Sequence, residues 1–108
     1  NNRSVNFSLA AKTGYITNAN PYEFALSQNY PNPFNPNTVI SYSIASEGNV
    51  ILKIFNSAGQ QVSELVNAYQ NAGIYNVEFN ASSLSSGVYF YRLDANGFTA
   101  TNKMILVK

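Results

Sequence analysis

Along most of the chain, apolar and polar residues alternate with period two in short runs separated by turn residues, the pattern of strands in a half-buried antiparallel sheet. In "TVISYSI", Ile40, Tyr42 and Ile44 make the core face, and Val39, Ser41 and Ser43 point away from it. In "NVILKIF", Val50, Leu52 and Ile54 alternate with Ile51, Lys53 and Phe55. Glu47, Gly48 and Asn49 supply a turn between these two runs, so the pair is expected to form a hairpin. "GIYNVEF" places Tyr75, Val77 and Phe79 on one face. "GVYFYRL" sets Tyr89, Tyr91 and Leu93 opposite Val88, Phe90 and Arg92, and a last run, "FTATNKMILV", follows. Between these two, Asn96-Gly97 is a tight-hairpin signal because both residue types tolerate positive φ.

One run carries two periodicities. In "QQVSELVNAYQ", Val62, Leu65, Val66 and Tyr69 recur at the spacing of an amphipathic helix. The two valines, Asn67 and the short length favour a strand with a bulge, which also disturbs strict alternation. The regular spacing of strands and turns predicts an all-β fold, an antiparallel sandwich or barrel. Residues 1–23 differ in texture. "SVNFSL" alternates, with Val5, Phe7 and Leu9 on one face, and "AAKTGYITNANPYE" after it is small, polar and turn-rich. It reads as a leader strand and linker ahead of a domain over residues 24–108. Such a strand can add to an open sheet edge in its own chain or in a neighbour, and head-to-tail addition that does not close builds a homo-oligomeric filament.

At 108 residues the chain fits one domain. Charged residues are only 10% of it, against a usual value of about 25%, and six Lys or Arg nearly cancel five Asp or Glu. Arg3, Lys12, Lys53, Arg92, Lys103 and Lys108 are scattered in sequence, which offers no phosphate-binding stripe and argues against nucleic acid as a partner. Without Cys or His, the chain lacks disulfides, thiolate chemistry and imidazole ligands. Glu23, Glu47, Glu64, Glu78 and Asp94 lie far apart, no serine stands in a G-x-S-x-G elbow, and no calcium-loop pattern occurs. These features point to no catalytic residue, no metal site and no cofactor. No apolar run approaches the roughly 20 residues of a membrane span. The chain opens "NNRSVNF" without Met, as a processed product or a part of something longer would.

Three of the four prolines, Pro31, Pro33 and Pro36, fall within "NYPNPFNPNT". Proline fixes φ, lacks a donor and pushes the residue before it to extended geometry, so a stiff, polyproline-like loop outside the sheet interior is expected. Pro33-Phe34-Asn35-Pro36 has the formal P-x-x-P spacing of a groove ligand. The competing reading is a rigid lid in which Tyr30 and Phe34 plug one end of the sandwich, because aromatic side chains are more often buried.

"LSQNYPNPFNPNTVISYSI" at 26–44, "VILKIFNSAGQQVSELV" at 50–66, "AGIYNVEFNASSLSSGVYFYRL" at 72–93 and the ending "KMILVK" together resemble the type A C-terminal sorting domain of the type IX secretion system. The resemblance implies an immunoglobulin-like antiparallel β-sandwich of about seven strands without catalytic activity. It also implies a signal that carries cargo through the periplasm to the outside and the cell surface, with the secretion machinery as partner and removal by a sortase as the usual end. Carried over position by position, the sorting motif would be Gln28, Asn29, Tyr30, Pro31, Asn32, Pro33, Phe34, Asn35 and Pro36, then Gly59, Gly73, Ser86, Gly87, Val88 and Tyr89, and finally Lys103, Met104 and on to Lys108. Two positions depart from the family pattern: Asn56 stands where Asp is frequent, and Phe79-Asn80 where Trp-Asp is. Both changes keep shape and remove charge.

Overall fold

The computed structural model describes residues 22–108. Val5, Phe7 and Leu9, and with them the expected leader strand, lie outside the described residues.

Seven strands occupy the described chain: β1 (Ala25–Leu26), β2 (Asn37–Ile44), β3 (Gly48–Asn56), β4 (Gln61–Gln70), β5 (Gly73–Asn80), β6 (Gly87–Ala95) and β7 (Phe98–Leu106). No helix occurs among the described residues. The strands form two antiparallel sheets, one ordered β1-β2-β5 and the other β4-β3-β6-β7, and these pack face to face as an immunoglobulin-like sandwich. The alternation decides which side chains meet between the layers. Ile40, Tyr42 and Ile44 of β2 face Val50, Leu52 and Ile54 of β3, Tyr89, Tyr91 and Leu93 of β6, and Met104 and Leu106 of β7, all buried in one core.

The region with two periodicities is strand β4. Its register against β3 shifts between Leu52 and Lys53, so Leu52 pairs with Val66 and Lys53 with Glu64, leaving Leu65 as the extra residue. That bulge lets Leu65 and Val66, adjacent in sequence, both pack toward the core. Helix-like spacing is what a bulged strand produces when read as a string.

The expected β2–β3 hairpin is absent, because the two runs belong to different sheets. Alternation alone cannot distinguish a turn within one layer from a step between layers, since both bury every second residue. The step here is held by a distant residue. Asn96, in the β6–β7 turn, donates through Nδ2 to Ser46 O at 3.0 Å and Glu47 O at 2.7 Å. Gly48 begins β3 and leaves room for that amide: a Cβ at position 48 would lie 2.0 Å from Asn96 Oδ1. The turn carrying Asn96 is the tight hairpin expected from Asn96-Gly97, with φ of 50° and 83° at the two central residues.

Gly48→Ala should therefore displace the Asn96 amide and destabilise the domain by about 0.5–1.5 kcal/mol per hydrogen bond lost, the net worth of such bonds. Urea denaturation measures it. Asn96→Gly in the same chain should make the loss less than additive, because the clash and the bonds are one interaction.

Candidate functional site

The segment from Gln28 to Pro36 folds according to which of its side chains can find a buried partner. Asn29 and Phe34 point inward, each only 2% exposed, while Tyr30 is 81% exposed. The lid reading thus holds for Phe34 and fails for Tyr30. Tyr30 forms an antiparallel bridge with Val39, its N–H donating to Val39 O at 3.0 Å and its O accepting from Val39 N at 2.9 Å. Pairing with Val39, an outward residue of β2, places Tyr30 on the outer face and turns Asn29 inward. The segment is not polyproline-like either: successive bends interrupt it.

Asn29 is tolerated in the interior because its N–H, its side-chain oxygen and its side-chain nitrogen are all partnered. Its N–H donates to Tyr91 Oη at 2.8 Å, and Tyr91 Oη in turn donates to Ser27 O at 2.6 Å. Its side-chain Nδ2 donates to Thr38 Oγ1 at 3.0 Å and Pro31 O at 3.1 Å, and Thr38 Oγ1 donates to Pro31 O at 2.8 Å. Gln28 Nε2 donates to Asn29 Oδ1 and to Lys103 O, at 2.6 and 2.8 Å. Asn102 of β7 completes the cluster, donating to Leu26 O, Ser27 O and Tyr91 Oη. Burial pushes the Tyr91 phenol above its ordinary pKa, against the lowering effect of its bonds with Asn102 and Asn29. Burial likewise pushes up Tyr42, whose hydroxyl donates to Gln70 Oε1 across the layers at 2.6 Å.

The far half of the segment is stitched to the last strand. Asn32 Oδ1 accepts from Ile105 N at 2.9 Å. Phe34 forms a parallel bridge at Leu106, donating from N to Ile105 O and accepting at O from Val107 N, both at 2.9 Å. Its ring packs against Phe79, with centroids 6.3 Å apart. Pro36 O accepts from Ala81 N at 2.9 Å. Asn35 is exposed.

The candidate residues at the other end of the chain arrive at the same place. Gly87, Val88 and Tyr89 pair with Leu106, Ile105 and Met104. Lys108 donates from its backbone N to Ser86 Oγ at 3.0 Å and from Nζ to Ser82 O at 2.7 Å. Met104 is buried, and Lys103 and Lys108 are exposed. One flank of the sandwich therefore unites Gln28 to Pro36, Ser86 to Tyr89 and Lys103 to Lys108. Gly59 and Gly73 stand apart from it. Gly59, at φ 84°, makes the β3–β4 turn with its N–H on Asn56 O at 3.0 Å, and Gly73 opens β5 opposite Ile44.

Thr38, Tyr91 and Asn102 support this flank and were not among the candidates read from sequence. Thr38 had a visible signal, a polar residue at the core parity of β2. Tyr91 and Asn102 had none, since Tyr is ordinary in a core and Asn is common throughout this chain. The flank has the chemistry of a recognition surface: backbone order, amides and an exposed phenol. No group of three or more His, Cys, Asp or Glu side chains able to hold a metal ion occurs among the described residues.

A family model described as a secretion system C-terminal sorting domain matches residues 28–108, beginning at Gln28 and so taking in the whole flank. No curated protein and no solved structure matches the chain.

The raised phenols set an alkaline limit on stability. A tyrosine that resists ionisation in the fold contributes stability that is complete below the ordinary phenol pKa of 10.0 and is lost as pH rises through the raised folded values. Unfolding free energy should fall above pH 10 on this account. Tyr91→Phe should lower stability by about 1–3 kcal/mol at neutral pH, by stranding Asn29 N–H, and should make the alkaline decline shallower. Denaturant titrations across pH, with tyrosinate absorbance followed in parallel, test both.

Proposed function

The chain belongs to the Por secretion system C-terminal sorting domain family, non-catalytic domains that direct export through the type IX secretion system, and on that premise we propose that its address is a composite surface. This surface joins the opening "QNYPNPFNP" to the closing "KMILVK". Membership implies interaction with the type IX machinery and secretion across the outer membrane, typically to the cell surface. The observation that carries the proposal is the Phe34 bridge to β7, which makes the two ends of the domain one piece of backbone.

A signal built this way exists only after folding. Asn29, Phe34, Met104 and Leu106 face inward and hold it together, whereas Tyr30, Asn35, Lys103 and Val107 are exposed on it. Tyr30 is the natural anchor for a receptor. Two backbone hydrogen bonds fix the main chain that presents the ring, and Tyr is enriched among residues that dominate interfaces. The position of Ser86 to Tyr89 beside Lys108 supports a role in presenting the final residues.

A second reading concerns assembly. β4 and β5 each pair on one side only, and β1 lies against β7, so the flank opposite the composite surface carries both open edges. A strand of alternating residues such as Val5, Phe7 and Leu9 from a neighbouring copy has a place to add there, which supports a filament of retained domains. Light scattering on the whole chain and on a chain starting at Pro21 separates the cases: larger particles only with the leader support the filament, and two monomers exclude it.

For the address, Tyr30→Ala in a Sec-directed reporter fused to the whole chain, expressed in a type IX host, should cut export about tenfold, the effect of about 1.4 kcal/mol of lost binding. Thermal stability should hardly change. Removal of "KMILVK" should abolish export. Undiminished export in both variants would falsify the composite address.

A further inference from the structure

The outer face of the four-stranded sheet carries a feature that the core does not use and that meets the composite address only at Lys103. Phe55 and Phe90 are register partners across β3 and β6, and Lys53 and Arg92 are the next partners on the same face. Lys103 stands opposite Phe90 on β7. Between Phe55, Phe90, Arg92 and Thr101, and bounded by the β3–β4 hairpin, lies a mainly apolar groove of about 280 Å³.

Phe55 and Phe90 are half-buried on the solvent side of the sheet, and both line the groove. Two of the three cations on this face, Lys53 and Lys103, stand in no ion pair among the described residues. Of the described cations Lys53, Arg92, Lys103 and Lys108, the first three stand on this one face. Like charges opposite one another on neighbouring strands destabilise a sheet, and Lys53 with Arg92 is such a pair. Arg92–Asp94 is the one ion pair among the described residues, through Nε at 3.1 Å. That bond, together with the guanidinium lying 5.0 Å over the Phe55 ring, fixes the plane of Arg92 while using only one of its nitrogens. Glu64, opposite Lys53 on β4, accepts from Asn67 at 3.3 Å instead. Gly59 has open space where a side chain would stand, so the rim beside the groove stays low.

We propose that this groove binds an acidic peptide segment of a partner protein, an aromatic or large aliphatic side chain entering between Phe55 and Phe90 while flanking carboxylates meet Arg92, Lys53 and Lys103. The planar guanidinium suits a carboxylate, and its fixed orientation lowers the ordering cost of binding. A peptide fits better than an anionic sugar. The Phe55 ring face that a sugar would stack on is already covered by Arg92, whereas an apolar side chain needs only volume.

The test uses the whole chain and a fluorescent peptide of alternating Glu and Phe, read by anisotropy, beside its Gln-for-Glu and Ala-for-Phe counterparts and an oligogalacturonate. Submillimolar binding of the Glu/Phe peptide is expected, at least tenfold tighter than either counterpart and weakened severalfold by raising salt from low to molar concentration. Arg92→Gln and Lys53→Gln, both surface changes, should each weaken it about tenfold with circular dichroism unchanged. Tyr30→Ala should leave it unaltered, which separates this groove from the export address. Absent binding, equal affinity for the Gln peptide, indifference to Arg92→Gln or tighter binding of the oligogalacturonate would each overturn the proposal.

Discussion

The Tyr91 hydroxyl is the hinge of this structure. It sits at the end of a fully buried ring, where a phenol without partners would cost several times what a hydrogen bond contributes, and it is satisfied by Asn29 N–H, Ser27 O and Asn102 Nδ2. Those partners come from the segment before β2 and from β7. Satisfying one atom therefore requires the chain ahead of the first long strand to cross the open flank of the sandwich and meet the last strand. Once Asn29 is seated, strand geometry turns Tyr30 outward, and the bends through the prolines bring Phe34 to Leu106.

The same alternation that builds the core also sorts the motif into residues that hold and residues that show. Inward positions are Asn29, Phe34, Met104 and Leu106, and exposed ones are Tyr30, Lys103 and Val107. A machine that reads the exposed set reads the folded state, since the two stretches of backbone are adjacent only in the native sheet. This gives an export signal a physical means of discriminating against unfolded chains. The opposite flank ends in the open edges of β4 and β5, where no proline or lysine guards the backbone. The two flanks thus differ in kind, one closed by side-chain amides and the other left with backbone groups unclaimed by this chain's described residues.

Much of the fold is legible in one dimension because burial has a period of two. Ile40, Tyr42 and Ile44 face inward as their spacing requires, Asn96-Gly97 makes the tight turn its residue types permit, and the crowded apolar positions of β4 resolve into a bulge. Two of the expectations that fail have one origin. Placing β2 and β3 in a hairpin and placing Tyr30 in the core both assume that neighbours in sequence, or residues of apolar type, must share a layer. What separates β2 from β3 is Asn96, some fifty positions away, and what keeps Tyr30 out is that Asn29 has better partners inside.

By itself the sequence determined the strands, their inward faces and the family, because side-chain parity and a proline-rich motif are local properties. Which strand lies in which sheet, which member of "NY" is buried, and that "NYPNPFNP" and "KMILVK" form one surface were decided by the tertiary structure. Each of these depends on a polar group finding its partner far along the chain, and hydrogen-bond satisfaction at a distance leaves no periodic trace in the residues that provide it.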